Sequence, residues 1–285
     1  MRMEDPVIAP QGGAIVVGAA EPVTDAEAIA ASATEAAAAV AAAGLPPRFS
    51  CFVTGTDTEI GKTLVSSALL YALTLTGVRA CGMKPVAAGA ELRDGALHND
   101  DADQLIAAGN VTMLASLTTP YMFREAAAPH IAAALEGRTI EAVPILAAYL
   151  EIAAATDAVV VEGVGGFRVP LNAQFDTADL AQQLDLPVIV VVGLRLGCIN
   201  HALLTVEAVR ARGLHVAGWV ANTLDSDMPF ADDNVAALND RIGAPLLGRI
   251  PRLPPLAQPA LAAAAAEYLD CTDLPNWPVH RTNTD

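Results

Sequence analysis

"FVTGTDTEIGKTLVSSALLYAL", residues 52–73, passes from an apolar, β-prone run into a turn-rich loop and then into an amphipathic helix. The loop reads Gly55-Thr56-Asp57-Thr58-Glu59-Ile60-Gly61-Lys62-Thr63. Glycines let the backbone turn without a Cβ clash and let amide N–H groups converge on phosphate oxygens. The helix start adds unpaired donors and partial positive charge. In such a loop Lys62 reaches the β- and γ-phosphates and the Thr63 hydroxyl reaches Mg²⁺. The usual phosphate loop has four residues between its first glycine and the Gly-Lys pair. Here five separate Gly55 from Gly61. The extra residue changes the reach of the loop and leaves the Gly-Lys-Thr junction at the helix start. The bland alternative is a glycine turn that only joins strand to helix. A strand before, a helix after and an acidic strand end later in the chain favour the nucleotide site.

The rest of the sequence repeats this strand–helix alternation. Apolar runs at 50–54, 79–87, 158–162, 187–193, 215–221 and 245–251 are near-continuous rather than alternating, as in parallel strands covered on both faces. Helical patterns lie at 61–76, 101–109, 140–155, 177–184, 198–212, 231–242 and 256–269. They predict an α/β fold, a doubly wound and mainly parallel sheet with helices on both faces, of the phosphate-loop NTPase kind. Ligands then belong beyond the carboxyl ends of the strands. Residues 49–285 read as one domain. Residues 1–48 are Ala-rich and of low complexity, which reads as a loosely attached or disordered extension. A docked helix capped by Asp25 is the other reading of that segment.

The 285 residues suffice for a large core. Lys and Arg number 16 against 32 Asp and Glu, a formal net charge of −16, which argues against a nucleic-acid groove or an anionic membrane surface. An acidic chain must bind an anion locally, with amides, a lysine or two and a metal. Cys51, Cys81, Cys198 and Cys271 stand apart with no Cys-x-x-Cys pair, so a reducing cytoplasm is the simple expectation. No apolar run has the length of a membrane span, and the N-terminus lacks the pattern of a secretory signal.

Several residues outside the loop carry chemistry. Glu162 ends the strand "DAVVVEG", where a carboxylate after a buried run needs a metal or hydrogen bonds. It fills the place of the acidic residue that supports Mg²⁺ in phosphate-loop enzymes. Lys84 ends the strand "RACGMK" and projects into the crevice, or else is a surface lysine at a strand exit. Asp100, Asp101 and Asp103 cluster at a helix start, where acids are ordinary, and the residues alone do not choose among them. Gly163 opens "GVGG", which offers amides to a ligand or only permits close packing. Glu59 has solvent exposure as its bland reading. The helix start at Cys198 offers an anion cradle. His201 and His130 read as histidines satisfied by hydrogen bonds rather than as bases. Asn222 ends a strand, where an amide can read a base edge, and Arg252 is either part of a base-binding loop or a surface charge.

Taken with "GMKPVAAG" (82–89), "NDDADQL" (99–105), "VVEGVGG" (160–166), "LGCINHALLT" (196–205), "GWVANTLD" (218–225) and "PLLGRIP" (245–251), the loop resembles the dethiobiotin synthetase family over residues 50–255, extra loop residue included. The resemblance implies an ATP-dependent cyclo-ligase of biotin synthesis, with 7,8-diaminononanoate and CO₂ as substrates, ATP as co-substrate, Mg²⁺ as metal and a homodimer. It implies roles as well. Lys62, Lys84 and Thr58 serve the chemistry, with Thr58 and Lys84 also touching the diamine and its carbamate. Glu59, Ile60, Gly61, Lys62 and Thr63 hold phosphates, and Asn222, Pro251, Arg252 and Leu253 hold the base. Thr63, Asp101 and Glu162 serve the metal. Gly163, Gly197, Cys198 and Asn200 bind substrate, the last three receiving its carboxylate across the dimer interface. One departure is Ala88, which stands at a position where the family carries a hydroxyl. The competing class is a dimeric ATPase switch of the partitioning or spatial-regulator type; such proteins carry a further lysine early in the loop, and none precedes Lys62 here.

Overall fold

The computed structural model describes residues 49–278, so the Ala-rich segment 1–48 lies outside the described residues. Six strands form the central sheet: β1 (Phe49–Gly55), β2 (Ala80–Met83), β7 (Ala158–Glu162), β8 (Val188–Leu194), β9 (Val216–Thr223) and β10 (Leu246–Ile250). Their order is β10-β9-β8-β1-β7-β2, and every neighbouring pair is parallel. The chain leaves β1 for the β2 edge, returns to fill β7, then builds β8, β9 and β10 on the other side. The strand order therefore reverses at β1, where open α/β sheets bind ligands.

Alternate residues of each strand feed two separate cores. Phe52, Val159, Val161, Val188 and Val190 belong to one cluster, and Cys51, Val53, Val160, Ile189 and Val191 to the other. Each cluster is closed by helices. On the first face lie α5 (Ala142–Ala155), α6 (Thr177–Leu184), α7 (Cys198–Ala211) and α8 (Ala231–Ile242). On the second lie α1 (Lys62–Leu75), α2 (Asp100–Ala108) and α9 (Ala260–Ala266). This is the doubly wound architecture that the apolar runs predict.

The boundaries differ in places with identifiable causes. The run 79–87 does not continue as one strand. It breaks at Lys84-Pro85, because proline has no N–H for the ladder and restricts the residue before it. The chain resumes as β3 (Val86–Ala88), which leaves the main sheet and pairs with β6 (Tyr121–Phe123). A hairpin follows, β4 (Glu91–Arg93) and β5 (Ala96–His98), turned at Asp94 and Gly95. Both have positive φ, 51° and 84°, which is why an Asp-Gly pair suits a two-residue hairpin turn. Short helices α3 (Ala115–Thr118) and α4 (Pro129–Leu135) also lie between the predicted elements. The helical pattern 256–269 shrinks to α9, with Pro259 immediately ahead of it.

Trp219 of β9 is the largest fully buried side chain, at 0% exposure. Truncating a buried tryptophan removes its apolar contacts and leaves a cavity. Trp219→Ala should lower the stability by about 3–5 kcal/mol in urea unfolding. A wild-type unfolding midpoint would contradict this packing.

Candidate active site

The loop between β1 and α1 is shaped by two buried residues. Ile60 is sunk into the core. Asn222, at the end of β9, donates its side-chain amide to the Ile60 carbonyl at 2.8 Å. Gly61 follows with φ 91°, and a Cβ there would lie 2.1 Å from the Asn222 amide nitrogen. Only glycine satisfies both the left-handed backbone and that approach. The helix start it leads into carries no side-chain cap and no acid in its first turn. By contrast α2 and α6 are capped by Asn99 and Asp176. The first amides of α1 are therefore left for an anion.

Lys62 is buried and donates to the Asp57 carbonyl of its own loop at 2.9 Å. Burial, helped by the charge of Lys84, lowers its pKa to about 8, although Glu162, Asp101 and Asp57 pull the other way. Arg195, in the loop after β8, forms an ion pair with Asp57 and braces the outer side of the loop.

Lys84 comes from the other side of the crevice. In the β2–β7 register Met83 is opposite Val161, so the next residues, Lys84 and Glu162, leave adjacent strand ends side by side. The Lys84 Nζ lies 2.5 Å from Glu162 Oε1 and 2.9 Å from Asp101 Oδ2. Burial pushes the Lys84 ammonium down, but Glu162 and Asp101 outweigh it and hold its pKa above the ordinary lysine value. Asp101 is shifted the opposite way: burial raises it, and the Lys84 charge and hydrogen bond bring it below the usual carboxylate range. Geometry thus decides among the three clustered acids. Asp100 pairs with Arg93 and Asp103 with His98, both away from Lys84.

Thr63 Oγ1 donates to Glu162 Oε1 at 2.9 Å. The other oxygen, Glu162 Oε2, is buried without a hydrogen-bond partner. An orphaned carboxylate oxygen at a fully buried position is costly unless a cation meets it. With Thr63 and Asp101 it makes a set of hard oxygen donors that fits a divalent cation such as Mg²⁺. Among the described residues no group of three or more His, Cys, Asp or Glu side chains could hold a metal ion by itself. Such an ion would need phosphate and water oxygens to complete its shell.

These walls enclose a cavity of about 830 Å³. Thr58, Glu59, Gly61, Lys62, Thr63, Lys84 and Asp101 line it, and Ile60 and Glu162 stand just behind. Gly163 is also behind, its carbonyl 3.5 Å from the Lys84 ammonium, while Val164 and Gly165 reach the surface. The far wall is small and apolar: Ala87, Ala88 and Ala126 to Pro129. Asn222 touches the loop from its other side. Arg252 donates to the Leu224 carbonyl at 2.7 Å, holding Pro251–Leu253 beside the end of β9. Gly197, Cys198 and Asn200 do not line the cavity; the Cys198 side chain is buried and Asn200 is exposed. Of the histidines, His130 lies 3.3 Å from the Pro170 carbonyl, as expected of a satisfied ring, whereas His201 is exposed on α7. Two participants escaped the sequence reading. Asn99 lines the cavity, and an asparagine just before a helical pattern is a recognisable cap. Nothing in the sequence pairs Arg195 with Asp57.

The family model described as an AAA domain matches residues 50–260. Among curated proteins the chain is 60% identical over 234 residues to the ATP-dependent dethiobiotin synthetase BioD of Janthinobacterium sp. (strain Marseille), covering 81% of this chain and 98% of that protein. Among solved structures it is similar to a ParA family ATPase from Chlorobium tepidum TLS, at 15% identity and TM-score 0.48 over 78% of this chain and 90% of that one. The cell division protein FtsY from Thermotoga maritima matches at 15% identity and TM-score 0.41, over 78% and 69% of the two chains. Identity of 60% across nearly the whole of that curated relative shows that the chain belongs to the dethiobiotin synthetase family.

Proposed function

We propose that the protein is an ATP- and Mg²⁺-dependent dethiobiotin synthetase that converts 7,8-diaminononanoate and CO₂ into a cyclic urea in biotin synthesis, cleaving ATP to ADP and phosphate. The observation that supports this most is that Lys62 and Lys84, arriving from different strand ends, line one cavity. The reaction has to bring two anions together, a carbamate and a γ-phosphate, and fixed cations offset that repulsion. One substrate amine adds to CO₂ and loses a proton, giving the carbamate. A carbamate oxygen attacks the γ-phosphorus. The new O–P bond forms as the bond to the ADP oxygen breaks, and ADP leaves with that electron pair. The second amine then attacks the activated carbonyl carbon and loses its proton. Phosphate departs with the electrons of the C–O bond, and the ring is closed.

The chain's own residues divide the work. Amides of Glu59, Ile60 and Gly61 and the Lys62 ammonium take the phosphates, with Asn222 and Pro251–Leu253 at the base. Thr63, Asp101 and Glu162 would hold Mg²⁺, which when bound neutralises and orients β- and γ-phosphate oxygens. Lys84 steadies the carbamate and Thr58 reaches the diamine, while Gly163 supports Lys84 from behind the wall. Ring closure is intramolecular by connectivity, so positioning matters most where two molecules meet, the carbamate and the γ-phosphate, an advantage of about 7–11 kcal/mol at best. Gly197, Cys198 and Asn200 would receive the carboxylate of a substrate bound to a second copy. In favour of such a homodimer, Leu196, Leu204 and Phe230, on and beside α7 and α8, are large apolar side chains left 95%, 57% and 77% exposed. Residues 49–285 are taken as one synthetase domain. Four free, buried cysteines suit the cytoplasm, and among the described residues no helix is long and apolar enough to cross a membrane.

Lys84→Gln removes the charge and keeps a donor for Glu162. It should reduce ring formation by about 100-fold or more while leaving ATP affinity nearly unchanged; full product formation by this variant would remove Lys84 from the chemistry. Lys62 supplies a pH test. With its pKa near 8 in the free protein, it is neutral above that pH, and bound phosphates must draw a proton onto it. ATP affinity should therefore fall as pH rises from 8 toward 9.5, by up to about tenfold per unit. Calorimetry showing a flat affinity across that range would contradict the pairing of Lys62 with phosphate.

A further inference from the structure

The residues proposed for the metal and for the carbamate meet at Asp101, and the position of Asp101 depends on how α2 begins. The helix body is held by burial of Ala102, Leu105 and Ala108. Its first turn is another matter. The chain arrives there from β3 through the hairpin of β4 and β5, whose strands pair only with each other and are mostly exposed. The contacts around that turn, Arg93 with Asp100 and His98 with Asp103, join partly or largely exposed side chains, and such surface contacts contribute little.

One buried side chain bridges the gap. Asn99, 9% exposed, caps α2: its Oδ1 accepts from the amides of Asp101 at 3.2 Å and Ala102 at 3.3 Å. Its Nδ2 donates to the Ala88 carbonyl at 3.1 Å. Ala88 ends β3 and forms part of the small apolar wall of the cavity. A single amide therefore spans the hairpin and ties the wall to the turn that presents Asp101. The backbone amide it grips belongs to Asp101 itself, whose carboxylate lies 2.9 Å from Lys84.

We propose that Asn99 is a positioning residue: its side-chain oxygen fixes the first turn of α2 so that the Asp101 carboxylate faces Lys84 and the metal position. Its side-chain nitrogen holds the cavity wall to that turn. This rests on the assignment of Asp101 to the metal site. Partners that orient a metal ligand are worth about 10- to 100-fold in metal affinity when removed.

The test compares Asn99→Ala, which loses both contacts, with Asn99→Ser, which keeps an oxygen able to cap the helix. Asp101→Asn serves as the reference. Each protein is titrated with ATP by calorimetry, with Mg²⁺ and with EDTA, and unfolded in urea. Asn99→Ala should weaken the Mg²⁺-dependent part of ATP binding by about 10-fold or more and leave binding in EDTA unchanged. Asn99→Ser should restore most of it. In turnover, kcat should fall more than KM for ATP rises. The proposal is overturned if Asn99→Ala, still folded in the urea titration, binds Mg²⁺ and ATP like wild type while Asp101→Asn does not. It is equally overturned if Ser and Ala lose metal-dependent binding alike. If Asp101→Asn is itself indistinguishable from wild type, the metal-site assignment fails first and the role of Asn99 with it.

Discussion

A buried ammonium and a buried carboxylate, Lys84 and Glu162, meet at 2.5 Å where two neighbouring parallel strands end. Their side chains are 4% and 0% exposed. Taking either charge out of water is expensive, and removing one partner from a buried pair typically destabilises by about 3–5 kcal/mol. A hydrophobic pair of equal size would serve stability as well. The pair is therefore better understood as a site than as a strut. It is placed by the register of β2 on β7 and by proximity to β1, whose loop brings Thr63 to the same carboxylate.

That arrangement makes the crevice a place where cations compete. The oxygens of Glu162 and Asp101 suit a divalent ion, and the Lys84 ammonium engages them. Lys62 likewise donates to its own loop, at the Asp57 carbonyl. Both lysines thus have protein partners that substrates would replace. Such contacts keep the charged groups oriented. In the proposed reaction the charges that stabilise the transition state would then be largely in place beforehand, the condition under which fixed charges are most effective.

The sequence disclosed the parts of this machine that follow from local rules. Gly61-Lys62-Thr63 at a strand-to-helix junction announces a phosphate site through backbone geometry. An acid after the apolar run 158–161 announces Glu162 through the cost of burying it. The six central strands and their helices were readable because parallel strands covered on both faces are almost continuously apolar. What stayed hidden depends on relations in space. Asp100, Asp101 and Asp103 are equivalent as helix-start acids until the helix phase turns one of them toward Lys84. Lys84-Pro85 interrupts the run 79–87, and proline acts there by removing a ladder bond that a hydrophobicity pattern does not register. The Asp94-Gly95 turn was a local signal, but its strands are too short and polar to show alternation. Asn99 looks like any helix cap; only the reach of its other end, to Ala88, makes it a bridge.

The proposed reaction turns on whether an oxygen of the CO₂-derived carbamate attacks the γ-phosphate of ATP. Incubating the protein with diamine, ATP, Mg²⁺ and oxygen-18-labelled bicarbonate for less time than label exchange with water requires, then weighing the phosphate released, tests that directly. Phosphate carrying one labelled oxygen, formed together with the cyclic urea, is the predicted result. Phosphate free of label, alongside the same cyclic urea, would contradict a shared crevice in which the two anions react.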